Sequence, residues 1–119
     1  MGLLGRWRKA QSRTPTELDR LSLKHLEKRG ADLARPRHII HFLYFESEED
    51  ARRAVEDVPT GGWDATVVPP EEPRTQWVVR GEATRMVDAR TVESYRAWFE
   101  QLAEEHHGEY DGWEAAVKP

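Results

Sequence analysis

Apolar residues are densest between Arg37 and Phe45, where β-branched and aromatic side chains occupy both sides of an alternating pattern. Ile39, Leu43 and Phe45 share one side with His41; Ile40, Phe42 and Tyr44 share the other with His38. A run that is apolar on both sides predicts a central strand. Ser47 then offers a helix cap, and Glu48, Glu49 and Asp50 suit the positive end of the helix that follows. Ala51, Ala54, Val55 and Val58 form its apolar stripe, and Pro59-Thr60-Gly61-Gly62 ends it. Trp63 to Val68 predicts a second strand, with Trp63, Ala65 and Val67 facing one way. The prolines at 69, 70 and 73 demand an exposed connection. Thr75 to Thr84 alternates most cleanly: Trp77, Val79, Gly81 and Ala83 point inward, and Gln76, Arg80 and Glu82 point outward. From Met86 to His107, Val92, Tyr95, Phe99 and Leu102 recur at helical spacing with Trp98 at the edge of that stripe. Gly108 stops this helix.

Tyr110 to Val117 predicts a last strand, kinked at Asp111-Gly112 because glycine accepts angles that a β-carbon forbids. Upstream, Thr14-Pro15-Thr16-Glu17 forms a capping box with proline in the first turn. Leu18, Leu21, Leu23 and Leu26 follow at roughly helical spacing, and Gly30 closes an accessory helix expected to pack beside the domain. The pattern divides the chain into a basic flexible leader (1–13), this helix and its linker (14–36), and one domain (37–119). The domain's predicted order is β-α-β-β-α-β. That is an α+β fold of the ferredoxin-like kind: a four-stranded antiparallel sheet with two helices on one face. Its first and third strands are expected at the centre, and its last strand beside the first.

Charge adds one asymmetry. Residues 1 to 37 hold 10 Lys/Arg against 4 Asp/Glu, whereas residues 38 to 119 hold 8 against 18. An acidic domain repels nucleic-acid phosphates, so no direct nucleic-acid binding is expected from it. The chain has no cysteine, which excludes disulfides, thiolate metal sites and cysteine nucleophiles. No apolar run approaches the roughly 18 residues that cross a bilayer. Leu3, Leu4 and Trp7 offer too little area for stable membrane anchoring, and the cytoplasm is the expected location.

The candidate chemistry is sparse. His38 and His41 fall on opposite sides of one strand, and His106-His107 are adjacent at a helix end; with His25 they make no metal-ligand spacing. Trp63, Trp77, Trp98 and Trp113 sit where core aromatics sit, rather than as a base-stacking platform. Glu104, Glu105, Glu109 and Asp111 lack a nucleophile, a glycine-rich phosphate loop or ligand spacing beside them. No catalytic residue, cofactor or metal is expected.

Phe45-Glu46-Ser47-Glu48-Glu49-Asp50-Ala51, Gly62-Trp63, and Ala103-Glu104-Glu105-His106 followed by Gly108-Glu109-Tyr110-Asp111-Gly112-Trp113 together resemble the RraB family, the regulators of ribonuclease activity B. The resemblance covers about residues 37 to 117. It implies a non-enzymatic module that binds an RNase E-type endoribonuclease and inhibits or redirects RNA cleavage by protein contact. The contact is expected on the open sheet face and the kink, at Gln76, Arg80, Glu82, Tyr110, Asp111 and Trp113. A homodimer is compatible with this reading. The alternative is a small-molecule enzyme or binder of the dimeric α+β barrel type, which needs a pocket with convergent polar groups between sheet and helices.

Overall fold

The computed structural model describes residues 14–119. The leader, residues 1–13, lies outside the described residues. Helix α1 (Pro15–Lys28) begins with the expected reciprocal box: Glu17 N donates to Thr14 Oγ1 at 3.1 Å, and Thr14 N to the Glu17 carboxylate at 3.2 Å. Strand β1 (Arg37–Phe45) leads to α2 (Glu48–Asp57), capped by Ser47 Oγ, and then to a single 3-10 turn, Val58–Gly61. Strands β2 (Asp64–Val68) and β3 (Trp77–Arg85) follow, then α3 (Ala89–Glu105) and β4 (Glu109–Ala115). The described residues therefore form an α+β fold, with three α-helices and one antiparallel sheet. Across that sheet the order is β2-β3-β1-β4.

Strands β2 and β4 differ from expectation by one or two residues at their ends, and the later starts of α3 and β3 have local causes. Helix α3 starts at Ala89 instead of Met86 because Asp88 and Thr91 build a second capping box there. The Met86 carbonyl is meanwhile taken by the hydroxyls of Thr91 (3.0 Å) and Tyr95 (2.9 Å), which holds Met86 out of the helix. Strand β3 starts at Trp77, two residues late, after the Arg74 guanidinium has tied the Pro69 and Gln76 carbonyls into the preceding loop. At the end of α3 it is His107, not Gly108, that turns left-handed, with φ 63°.

The core lies between the sheet and α2 and α3. Ile39, Leu43, Phe45 and Val79 from the sheet meet Ala51, Ala54, Val92 and Phe99 from the helices, all of them buried. Gly81 lets Phe99 lie against β3, since a Cβ there would stand 2.8 Å from that ring. Arg37, Asp19 and Arg96 are buried charged residues that periodicity does not reveal. Arg37 donates to the carbonyls of Asp32, Ala116 and Val117, tying the start of β1 to the chain beyond β4.

Candidate partner-binding surface

The second face of β1 presents Ile40, Phe42 and Tyr44, all half-buried, away from the α2–α3 core. Across β1–β3, Phe42 pairs with Arg80 and Ile40 with Glu82; across β1–β4, Phe42 pairs with Gly112. One aromatic side chain thus stands between two groups of residues expected to bind a partner. The Arg80 guanidinium lies 6.0 Å from the centre of the Phe42 ring and 3.7 Å from Glu82. Glu82 also meets His38 at 2.7 Å. Gln76 is half-buried just before β3.

The kink forms as expected. The β1–β4 register slips between Phe42 and Leu43, and Gly112 takes φ 123°. The slip turns Tyr110 into the core, where its hydroxyl shares a 2.7 Å hydrogen bond with His41 Nδ1. Asp111 is buried in the bulge and accepts a hydrogen bond from the Tyr44 hydroxyl. Burial, and then the neighbouring Asp111 carboxylate, hold the Tyr44 phenol above its ordinary pKa. Trp113 is half-buried and donates from Nε1 to Asp19 Oδ1 at 2.9 Å. Gln76, Arg80 and Glu82 therefore lie at the surface, while Tyr110 and Asp111 build the site from within.

Helix α1 completes this region. Its Asp19 carboxylate accepts from Arg96 Nε at 2.8 Å and from Arg96 Nη2 at 2.7 Å, a two-pronged pair with α3. Burial opposes the Arg96 charge, but the hydrogen bonds to Asp19 together with the charges of Tyr110, Asp19 and Glu100 outweigh it and raise the pKa. The same guanidinium lies 5.0 Å from the centre of the Tyr110 ring. Between α1 and the open sheet face runs a groove of about 740 Å³, lined by Leu18, Leu21, Phe42, Tyr44, Trp113 and Glu114 among others. Among the described residues, Leu21 is the large apolar side chain left exposed, at 46%. Alternation groups Phe42 and Tyr44 on one side of β1, but only the packed helices show that this side is the open face. Nothing in the sequence joins Asp19 to Arg96, because ion pairs between distant helices leave no periodic trace.

The histidines are dispersed. His41 is fully buried, stacked on Phe99 at 4.3 Å and flanked edge-on by Trp63 at 4.8 Å, and its pKa is lowered to about 3 by burial and then by the charges of Arg96 and Arg85. His106 meets Asp57 at 2.8 Å, and His107 approaches Asp50 at 4.0 Å. His25 lines the groove. Among the described residues no three His, Cys, Asp or Glu side chains converge as a metal site. No helix of the described residues is long and apolar enough to cross a membrane.

The described residues thus form a small α+β fold with an aromatic sheet face and an apolar groove beside it. The chain belongs to the RraB family, Regulator of ribonuclease activity B, which matches residues 16–115. The match takes in α1, the helix that Asp19 joins to α3 and β4. No curated protein matches the chain.

Proposed function

We propose that the protein binds an RNase E-type endoribonuclease in the cytoplasm and modulates RNA cleavage by protein–protein contact, without catalysing a reaction. Membership of a family of ribonuclease regulators is the observation that carries this reading. The charge balance supports it: 18 acidic against 8 basic residues from 38 to 119 favour a cationic protein segment over an RNA backbone. The contact surface is the open sheet face with Gln76, Arg80 and Glu82, joined at Phe42 to the Tyr110–Trp113 kink. Tyr110 and Asp111 shape that surface from beneath, and Trp113 lies at its border with α1. With β1 and β3 central and β4 beside β1, the β-α-β-β-α-β order is read as ferredoxin-like, the layout that leaves one sheet face free. Self-association through an edge strand is compatible with the same surface. The test is capture of purified ribonuclease E by the immobilised protein at low salt. Retention that weakens as salt rises supports the proposal; no retention at low salt overturns it.

A further inference from the structure

We propose that the groove between α1 and the open sheet face holds a short segment of the protein partner in which an arginine stands next to leucine or aromatic residues. This deepens the ribonuclease-regulator reading and rests on it, naming the part of the partner that is gripped and the residues that grip it. Leu18 and Leu21 give one apolar wall, and Phe42, Tyr44 and Trp113 give the aromatic rings opposite. Such an apolar strip at the surface favours apolar side chains from a partner. Its lining carries a small acidic excess: Arg96 is already paired with Asp19, which leaves Asp111 and the exposed Glu114 against Arg29.

Aromatic rings beside carboxylates recognise guanidinium in particular. Its flat faces stack on a ring while its edges donate in pairs, which a compact ammonium does less well. The chain already uses this arrangement internally. Arg96 lies over Tyr110 while Asp19 holds its edge, and Arg85 lies 4.2 Å from the centre of the Trp63 ring. The groove offers the same combination to an arginine from outside.

Fluorescein-labelled 15-residue peptides tiled along ribonuclease E, titrated against the full chain by polarisation, test the proposal. Whole ribonuclease capture is run beside them. Leu21→Lys and Glu114→Lys both change exposed groove residues, and Glu56→Lys makes the same charge reversal on the exposed side of α2, away from the open sheet face and outside the groove lining. Bound peptides are expected to carry arginine beside leucine or an aromatic residue. Affinity should fall at least tenfold with Leu21→Lys and several-fold with Glu114→Lys. It should stay within twofold with Glu56→Lys, and arginine-to-lysine exchange in the peptide should weaken binding several-fold. Capture of the ribonuclease that is indifferent to Leu21→Lys overturns the groove and leaves the regulator reading standing. Failure of the unaltered protein to capture the ribonuclease sinks that reading, while the peptide arm still decides the groove. Absence of any bound peptide overturns it. So does a dimer of the chain that Leu21→Lys dissociates, because the groove would then belong to a second copy.

Discussion

Asp19 and Arg96 stand 77 residues apart in the sequence and meet through two hydrogen bonds, 2.7 and 2.8 Å long, in a nearly dry setting. Trp113 donates to the same carboxylate, so one side chain of α1 joins α3 to the kinked edge strand β4. A helix that sequence periodicity presents as an accessory is thereby part of the folded unit.

Removing one member of a buried pair leaves the other charged and without its counterion. Asp19→Ala should therefore lower the unfolding free energy by about 3 kcal/mol in urea titrations. The double variant Asp19→Leu with Arg96→Met should recover much of that loss, because it removes both charges together. Hydrogen exchange in the single variant should speed up in α1 and at Trp113 together. An unchanged midpoint for Asp19→Ala would mean that α1 is merely appended.

His41 gives the protein a specific response to acid. Above about pH 6.5 the ring is neutral in both the folded and the unfolded chain. Between about 6.5 and about 3 the unfolded chain binds a proton that the folded chain refuses, so stability falls as pH falls. Below about 3 the folded ring also protonates, and its contribution levels off. The slope from this group approaches about 1.4 kcal/mol per pH unit within that window. His41→Gln keeps a polar group near Tyr110 and should flatten the profile between about pH 6 and pH 4 by most of that slope. Equal slopes for the two proteins would refute the assignment, whatever their absolute stabilities.

The turn from α3 into β4 separates two reasons for a glycine. His107 takes the left-handed angle usually left to glycine, whereas Gly108 supplies room. A Cβ on Gly108 would run into the Phe45 ring and stand 2.7 Å from the Tyr44 carbonyl. Gly108→Ala should destabilise by about 2 kcal/mol or more, since neither the packed ring nor the strand backbone can move freely. His107→Gly should be neutral or stabilise by up to about 1 kcal/mol. Thermal melts of the two variants should shift in opposite directions or by clearly unequal amounts.

Most of the element pattern was legible because it follows local rules. Thr14 and Ser47 announce helix starts by the chemistry of their side chains, and the two-sided apolar run of β1 announces a central strand. The kink at Asp111-Gly112 was legible for the same reason. The groove was less so. Leu21 shares the helical spacing of Leu23 and Leu26, yet those two are buried and it is not. Periodicity finds an apolar stripe; only the packed helix shows how far coverage extends. The kink places Tyr110 and Asp111 side by side in sequence, but the register slip sends Tyr110 into the core and Asp111 to the floor of the groove beside Tyr44. The direction of a bulge is a property of the paired strands.

Arg37 is the least expected core residue. It opens β1, where a charged side chain would ordinarily reach solvent, yet its exposure is 0%. Its guanidinium serves three carbonyls, those of Asp32 before the strand and of Ala116 and Val117 beyond β4. A flat group with several fixed donors can span that set; an ammonium on a flexible stem covers less of it. Arg37→Lys should therefore cost about 1–2 kcal/mol, and Arg37→Met more, because the carbonyls then lose their donors altogether. The loss should be local first: amides from Ala115 to Val117 should exchange faster than those at the centre of β1. Arg35→Met, on the exposed linker, serves as the control and should leave both readouts unchanged. If Arg37→Met matched that control, the C-terminal stretch would owe its place to Val117 and the backbone bond from Ala116 N to the His38 carbonyl alone.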